Sequence, residues 1–258
     1  MTSVSVRVED HVATVVLDRP PVNAVDRGAL IEIRDAFRSL DGRRDVRAAI
    51  FTAAGERAFM GGADLADIGG SDASAPAAEV VDRGLVAREA LWSVVDCAVP
   101  VIAAVNGPAI GAGLAFAACC DIILAAETAT FGALEINVGL LGASAQLSTL
   151  VGRHKAREMY MLGERVSAAE LCRLGAVRAV LPAEDLLPTA NALAGELARK
   201  SPIALRLAKE SMNRVESLPL KEAYRLEQDY TNRLLTYEDS VEARQAYLEK
   251  REGAWRWR

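Results

Sequence analysis

Val101-Ile102-Ala103-Ala104-Val105-Asn106-Gly107-Pro108-Ala109-Ile110-Gly111-Ala112-Gly113-Leu114 sets the reading of everything around it. Five apolar residues in unbroken succession are the pattern of a strand covered on both faces, as in a parallel sheet with helices on either side. The turn that follows is rich in glycine and opens a helix toward Cys119. A helix start leaves its first N–H groups without intrahelical acceptors, and small residues let a ligand approach them. The arrangement occurs twice. Residues 46–52 form another nearly continuous apolar run, followed by Gly55-Glu56-Arg57-Ala58-Phe59-Met60-Gly61-Gly62-Ala63-Asp64-Leu65. One N–H from each turn, converging on one oxygen, makes a pair that stabilises developing negative charge. Tight packing of two turns with no ligand between them accounts for the same glycines.

Working outward, residues 4–8 and 12–17 alternate in period two around Glu9-Asp10-His11, the signature of a hairpin. Asp26 stands where an N-cap precedes a helical pattern through residue 40, with Leu30, Ile33 and Phe37 on one face. Residues 71–77 read as a small-residue, mobile loop before a helix over 79–95. Short apolar runs at 122–124 and 177–180 add two strands. After Pro182 the pattern changes to successive amphipathic helices over 185–200, 202–215, 220–235 and 238–251. The expectation is an α/β core over residues 1–182 and a helical region over 183–258 whose apolar faces pack on a neighbouring subunit.

Bulk composition narrows the function. The chain has 258 residues, 51% of them apolar, and a net charge of −5, enough for a large buried core. No basic stripe accompanies the acidic balance, which argues against a nucleic-acid partner. The start lacks the order of a secretory signal, and the apolar run at 99–105 is too short to span a bilayer. Cys97, Cys119, Cys120 and Cys172 form no CxxC pair, so buried free thiols in a reducing compartment, the cytoplasm, are expected. Gly107, Gly111 and Gly113 have the wrong spacing for a dinucleotide fingerprint, and there is neither a GK[ST] nor a GxSxG. His11 and His154 lack the neighbours of a triad or a metal site, so no metal and no separate cofactor is expected.

Carboxylates remain. Glu135 lies in Thr130-Phe131-Gly132-Ala133-Leu134-Glu135-Ile136-Asn137-Val138-Gly139, a small and apolar setting. A carboxylate there loses hydration, which raises its pKa toward values useful for proton transfer. A helix-start carboxylate favoured by the dipole is the competing explanation. Asp64 and Asp121 follow turn or strand ends and read as caps.

At these residues the sequence resembles the enoyl-CoA hydratase/isomerase family, the crotonase superfamily. The resemblance runs through Leu17-Asp18-Arg19-Pro20 with Asn23-Ala24, Ala58-Phe59-Met60-Gly61-Gly62-Ala63-Asp64-Leu65, and Pro100 to Gly107. It continues in Cys120-Asp121-Ile122, Phe131-Gly132 and Glu135, and ends in Lys200-Ser201-Pro202 and Tyr247-Leu248-Glu249-Lys250-Arg251. It implies the crotonase fold, an α/β spiral core of β-β-α units with a helical C-terminal trimerisation region. It implies an acyl-CoA thioester as substrate, with coenzyme A carried by the substrate and not bound as a cofactor. By the same resemblance the N–H groups of Ala63 and Ala112 form an oxyanion hole for an enolate. The backbone around Gly61 and Leu65 lies along the CoA adenine, and Ala63, Asp64 and Gly111 belong to the same substrate-binding set. Arg57 and, from a neighbouring subunit, Tyr247 and Lys250 contact the CoA. The implied assembly is a homo-trimer or a dimer of trimers.

Two departures concern the chemistry. Hydratases of this family commonly carry two glutamates; here the first position is Ala115, and only Glu135 is kept. The segment after it reads Leu141-Gly142-Ala143-Ser144-Ala145-Gln146-Leu147 in place of the usual family pattern. The expected function is hydration of a 2-enoyl-CoA by a single glutamate acid/base. A 3,2-enoyl-CoA isomerase, an aromatic enoyl-CoA hydratase-lyase and a non-catalytic acyl-CoA binding protein are the alternatives.

Overall fold

The computed structural model describes residues 2–64, 82 and 84–258. The expected loop over 71–77, the first part of the helix expected over 79–95, and Leu65 lie outside the described residues. Nine strands are described: β1 (Val4–Glu9), β2 (Val12–Leu17), β3 (Ala48–Ala53), β4 (Val101–Val105), β5 (Ala109–Ile110), β6 (Ile122–Ala126), β7 (Thr130–Gly132), β8 (Val166–Ser167) and β9 (Ala179–Leu181). β1 and β2 are the expected antiparallel hairpin, with Val4 opposite Leu17. From β2 onward a six-stranded sheet continues in parallel, in the order β1-β2-β3-β4-β6-β9. A second sheet of three short strands runs β5-β7-β8.

The helices are α1 (Arg27–Arg38), α2 (Leu85–Val95), α3 (Ala112–Ala118), α4 (Ser144–Val151), α5 (Arg153–Leu162), α6 (Ala168–Arg173), α7 (Ala183–Ala198), α8 (Pro202–Val215), α9 (Leu220–Leu235) and α10 (Glu238–Glu249). The Asp26 side chain accepts the Ala29 N–H at 2.8 Å and caps α1, which buries Ile33 and Phe37. All residues of β3 and β4 are buried, as their unbroken apolar runs require. Alternation sends Ala49, Phe51, Val101, Ala103 and Val105 to one side of the sheet. There Phe51 meets Phe37, Phe59 and Phe116 edge-to-face at centroid distances of 5.3, 5.4 and 6.0 Å. Ala48, Ile50, Ile102, Ala104 and Leu124 face the other way, against Leu186, Ala190, Ala194 and Ala198 of α7.

That second face is covered from beyond residue 182. A parallel sheet apolar on both sides needs a cover on both, and α7 supplies it, so this helix packs as a core layer. Other boundaries move for local reasons. β9 starts at Ala179 and not at residue 177, because the Ala176 and Val177 N–H groups turn back to the Leu171 carbonyl and close α6. The last helix stops at Glu249 because Lys250 adopts left-handed backbone with φ 55°.

Beyond α7, α8 is locked to the core by a buried lysine. Lys209, with only 6% of its side chain exposed, donates to Asp121 Oδ2 at 2.7 Å and to the Val94 and Val99 carbonyls at 3.2 Å. α9 packs on α8 through Ile203, Leu207 and Tyr230. The chain end folds back: the buried Asp239 carboxylate accepts the Arg256 and Trp257 N–H groups at 2.8 and 2.9 Å. The outer surface of α9 and α10 nevertheless presents Leu220, Tyr247 and Leu248 at 80% exposure or more. No helix among the described residues is long and apolar enough to cross a membrane.

Candidate active site

The two glycine turns lie side by side. Met60 pairs in parallel with Ala109, its N–H donating to the Pro108 carbonyl at 3.2 Å and its carbonyl accepting from Ile110 at 2.9 Å. Three residues on, Ala63 pairs with Val25 through the bonds of its neighbours: Val25 N–H to the Gly62 carbonyl at 2.9 Å and Asp64 N–H to the Val25 carbonyl at 2.8 Å. In that register the N–H of Ala63 itself points away from Val25. Ala112 is the first residue of α3, so its N–H has no intrahelical acceptor. Among the described residues no hydrogen bond takes up either N–H.

Glycine is what permits the approach. A Cβ on Gly113 would stand 2.4 Å from the Met60 carbonyl oxygen, so only a hydrogen fits between the start of α3 and the first turn. Gly62, at φ +106°, sits against the Ile110 carbonyl, and Gly111, at φ +55°, makes the sharp entry into α3.

Glu135 comes to the same place from the other sheet. β7 pairs with β5, and the Gly132 carbonyl accepts the Gly111 N–H at 2.8 Å. A one-turn 3₁₀ helix, Glu135–Val138, then begins at the glutamate and ends at Gly139 in left-handed backbone. The Glu135 carboxyl fills the space beside two glycines: its Oε1 lies 2.7 Å from where a Cβ on Gly111 would be, and 3.0 Å from one on Gly142. Its Oε2 is buried with no hydrogen-bond partner among the described residues. Burial pushes this carboxyl above the usual glutamate range, opposed only by the residue's own N–H. A half-buried carboxyl with its Oε2 out of reach of solvent, in the neighbourhood of two unused N–H groups, can move a proton to and from a carbon next to a carbonyl that those groups polarise. The position of the absent first acid is filled by Ala115, buried in α3 one turn after Ala112.

The structure therefore brings Gly61, Ala63, Gly111, Ala112 and Glu135 into one neighbourhood. Arg57 is exposed at the far end of the first turn, lining a cleft of about 320 Å³ with Asp18, Pro20, Asn23 and Gly55. Asp64 is engaged by Arg19 at 3.1 Å, and Arg19 also holds Asp26 at 2.8 Å. The Asp26 carboxyl is held below its usual range first by the Ala29 N–H and then by Arg19. Tyr247 and Lys250 stand exposed on and just after α10, and no hydrogen bond among the described residues ties either side chain to the cluster. His11 and His154 are exposed. Cys97, Cys119 and Cys120 are buried free thiols, whereas Cys172 is only half-buried.

Sequence reasoning passed over two groups. Asn23, buried, clamps the first turn by donating to the Ala54 and Ala58 carbonyls at 3.1 and 2.9 Å. Its place in the Asn23-Ala24 pair was the available signal. Tyr160, whose hydroxyl accepts the Gly142 N–H at 3.1 Å, had none, because an aromatic in an amphipathic helix reads as packing.

A family profile described as Enoyl-CoA hydratase/isomerase matches residues 7–258. The chain is 36% identical over 240 residues to a (7aS)-7a-methyl-1,5-dioxo-2,3,5,6,7,7a-hexahydro-1H-indene-carboxyl-CoA hydrolase of Rhodococcus jostii, covering 93% of this chain and 92% of the relative. It is 32% identical to a crotonyl-CoA hydratase of Syntrophomonas wolfei, covering 94% of each. Among solved structures, an enoyl-CoA hydratase of Bacillus anthracis superposes with a TM-score of 0.91 at 30% identity, over 98% of both chains.

Proposed function

The chain belongs to the enoyl-CoA hydratase/isomerase family, the crotonase superfamily, and we propose that it hydrates a 2-enoyl-CoA thioester with Glu135 as its single acid/base. The observation that carries this reading is the buried, unpartnered Oε2 of Glu135 beside the start of α3. The Ala63 and Ala112 N–H groups receive the thioester oxygen. Glu135 takes a proton from water as the water oxygen bonds to C3. The electron pair of the double bond moves toward the carbonyl, and the oxyanion pair holds the resulting enolate charge. Glu135 then returns the proton to C2, so one water has been added and the carboxylate is restored. Arg57 meets the CoA phosphates. The backbone around Gly61 and Leu65 follows the CoA adenine, Asp64 and Gly111 belong to the same substrate-binding set, and Tyr247 and Lys250 of a neighbouring subunit close the CoA site in a trimer or a dimer of trimers.

A second reading has a specific observation in its favour. Ala115 puts a methyl group where a second carboxylate positions water, so one-carboxylate reactions fit equally well: a 3,2 double-bond shift, or lyase chemistry on an aromatic enoyl-CoA. Hydrolysis of a cyclic dioxo acyl-CoA, as in the name of the Rhodococcus relative, belongs to the same group. The test is a panel of 2-enoyl, 3-enoyl and cyclic dioxo acyl-CoA esters, with products read by mass spectrometry. Turnover of 2-enoyl-CoA with gain of one water supports hydration. Turnover confined to the 3-enoyl or cyclic esters replaces hydration by the second reading. Tight binding with no turnover on any ester leaves the non-catalytic binding protein.

A further inference from the structure

The stretch from the 3₁₀ helix to α4 is fastened at two points to α5 and the glycine that caps it. On one side the Asn137 amide donates to the Gly163 carbonyl at 3.0 Å. On the other, the Gly142 N–H donates to the Tyr160 hydroxyl at 3.1 Å. Between these points Leu140 N–H bonds to the Glu135 carbonyl at 2.9 Å, and Leu141 turns out to solvent. Gly142 is therefore held against the Glu135 carboxyl, close enough that a Cβ there would lie 3.0 Å from Oε1. Burial alone raises the Glu135 carboxyl. The charged residues beside the neighbouring Gly132, Glu164 and Arg165 in the turn after α5, do not figure in the shift, and Tyr160 is the titratable group facing the segment from α5.

We infer that Tyr160 is a positioning residue: its hydroxyl, through the Gly142 N–H, holds the 139–143 segment down on Glu135 and keeps that carboxyl dry. The inference rests on Glu135 being the acid/base, and its physical content, the dryness of the carboxyl, is measurable without turnover. Tyr160 reaches Glu135 only through the segment. Removing the hydroxyl frees the Gly142 N–H to find water, and water admitted at that point solvates the carboxylate and lowers its pKa.

The experiment is Tyr160→Phe, which keeps the ring and its packing, with thermal unfolding as the check on folding. The Glu135 carboxyl carbon is titrated by ¹³C NMR, its signal assigned by its absence in Glu135→Gln. The expected result is a midpoint lower than in the wild type. On crotonyl-CoA, the acid limb of kcat/KM against pH should move the same way, with kcat down about tenfold and KM within about twofold. Gly142→Ala, whose methyl would lie 3.0 Å from Oε1 and add apolar cover to the carboxyl, is the second variant and should shift the titration the opposite way, upward. An unchanged carboxyl midpoint in a folded Tyr160→Phe overturns the inference. A lowered midpoint in a protein that turns over no enoyl-CoA upholds the positioning role and overturns the hydratase reading instead.

Discussion

Glu135 is kept short of hydration by glycine neighbours, and this has opposite consequences for stability and for chemistry. A carboxyl whose pKa rises on folding binds its proton more tightly folded than unfolded. Its stabilising contribution is therefore present at low pH and lost as pH rises through the folded value. Glu135→Gln removes that loss. The variant should unfold at or above the wild-type temperature at about pH 7, with the difference closing toward about pH 4, where the native carboxyl is also neutral. A differential scan at the two pH values reads this directly. On the proposed mechanism the same substitution removes the proton acceptor, so turnover on whichever ester the wild type accepts should fall about 10²–10⁴-fold. Binding of a saturated acyl-CoA, followed by calorimetry, should change little, since the backbone N–H groups are untouched. Full turnover in Glu135→Gln would remove the glutamate from the mechanism.

At the scale of elements, α8 is tied to the core by Arg206, Asn213 and, most deeply buried of the three, the Lys209 ammonium. Lys209 is satisfied by one carboxylate and two carbonyls, and Asp121 also accepts the Val101 N–H at 2.7 Å, at the first residue of β4. Asp121→Asn leaves the lysine charge buried without its counter-ion. Breaking such a pair costs about 3–5 kcal/mol, and with Asp121 30% exposed the low end applies, so a loss of roughly 3 kcal/mol in urea unfolding is expected. Since β4 leads into the turn that carries Ala112, ligand affinity should weaken in the same variant. A loss below about 0.5 kcal/mol would mean that water replaces the carboxylate at no cost.

For the whole molecule, Leu220, Tyr247 and Leu248 stand exposed on α9 and α10, while the inner face of α9 already rests on α8. In the proposed assembly these exposed apolar side chains meet another chain. Light scattering at micromolar concentration should give a trimer or a multiple of it. The double variant Tyr247→Ser, Leu248→Ser should dissociate and lose affinity for a CoA thioester relative to the wild type. A monomeric wild type with full CoA affinity would contradict the proposed assembly.

Legibility in the sequence followed the range of the forces involved. The β1–β2 hairpin, the Asp26 cap, the buried β3 and β4, and α8 and α9 are settled by period, capping and turn residues within a few positions of one another. Glu135 stood out for the same reason, as a lone charge in a small, apolar stretch. The short strands β5, β7 and β8 could not be read, since two or three residues carry no period, and they form only by pairing with each other. α7 read as one more outer helix because its alanine stripe does not say which surface it meets; the second apolar face of the sheet decides that. The sequence by itself determined which residues are candidates for the chemistry and which strands must be buried. Only the tertiary structure set Glu135 against Gly111 and Gly142, and set Tyr160 behind them, because those contacts join segments whose proximity no local pattern encodes.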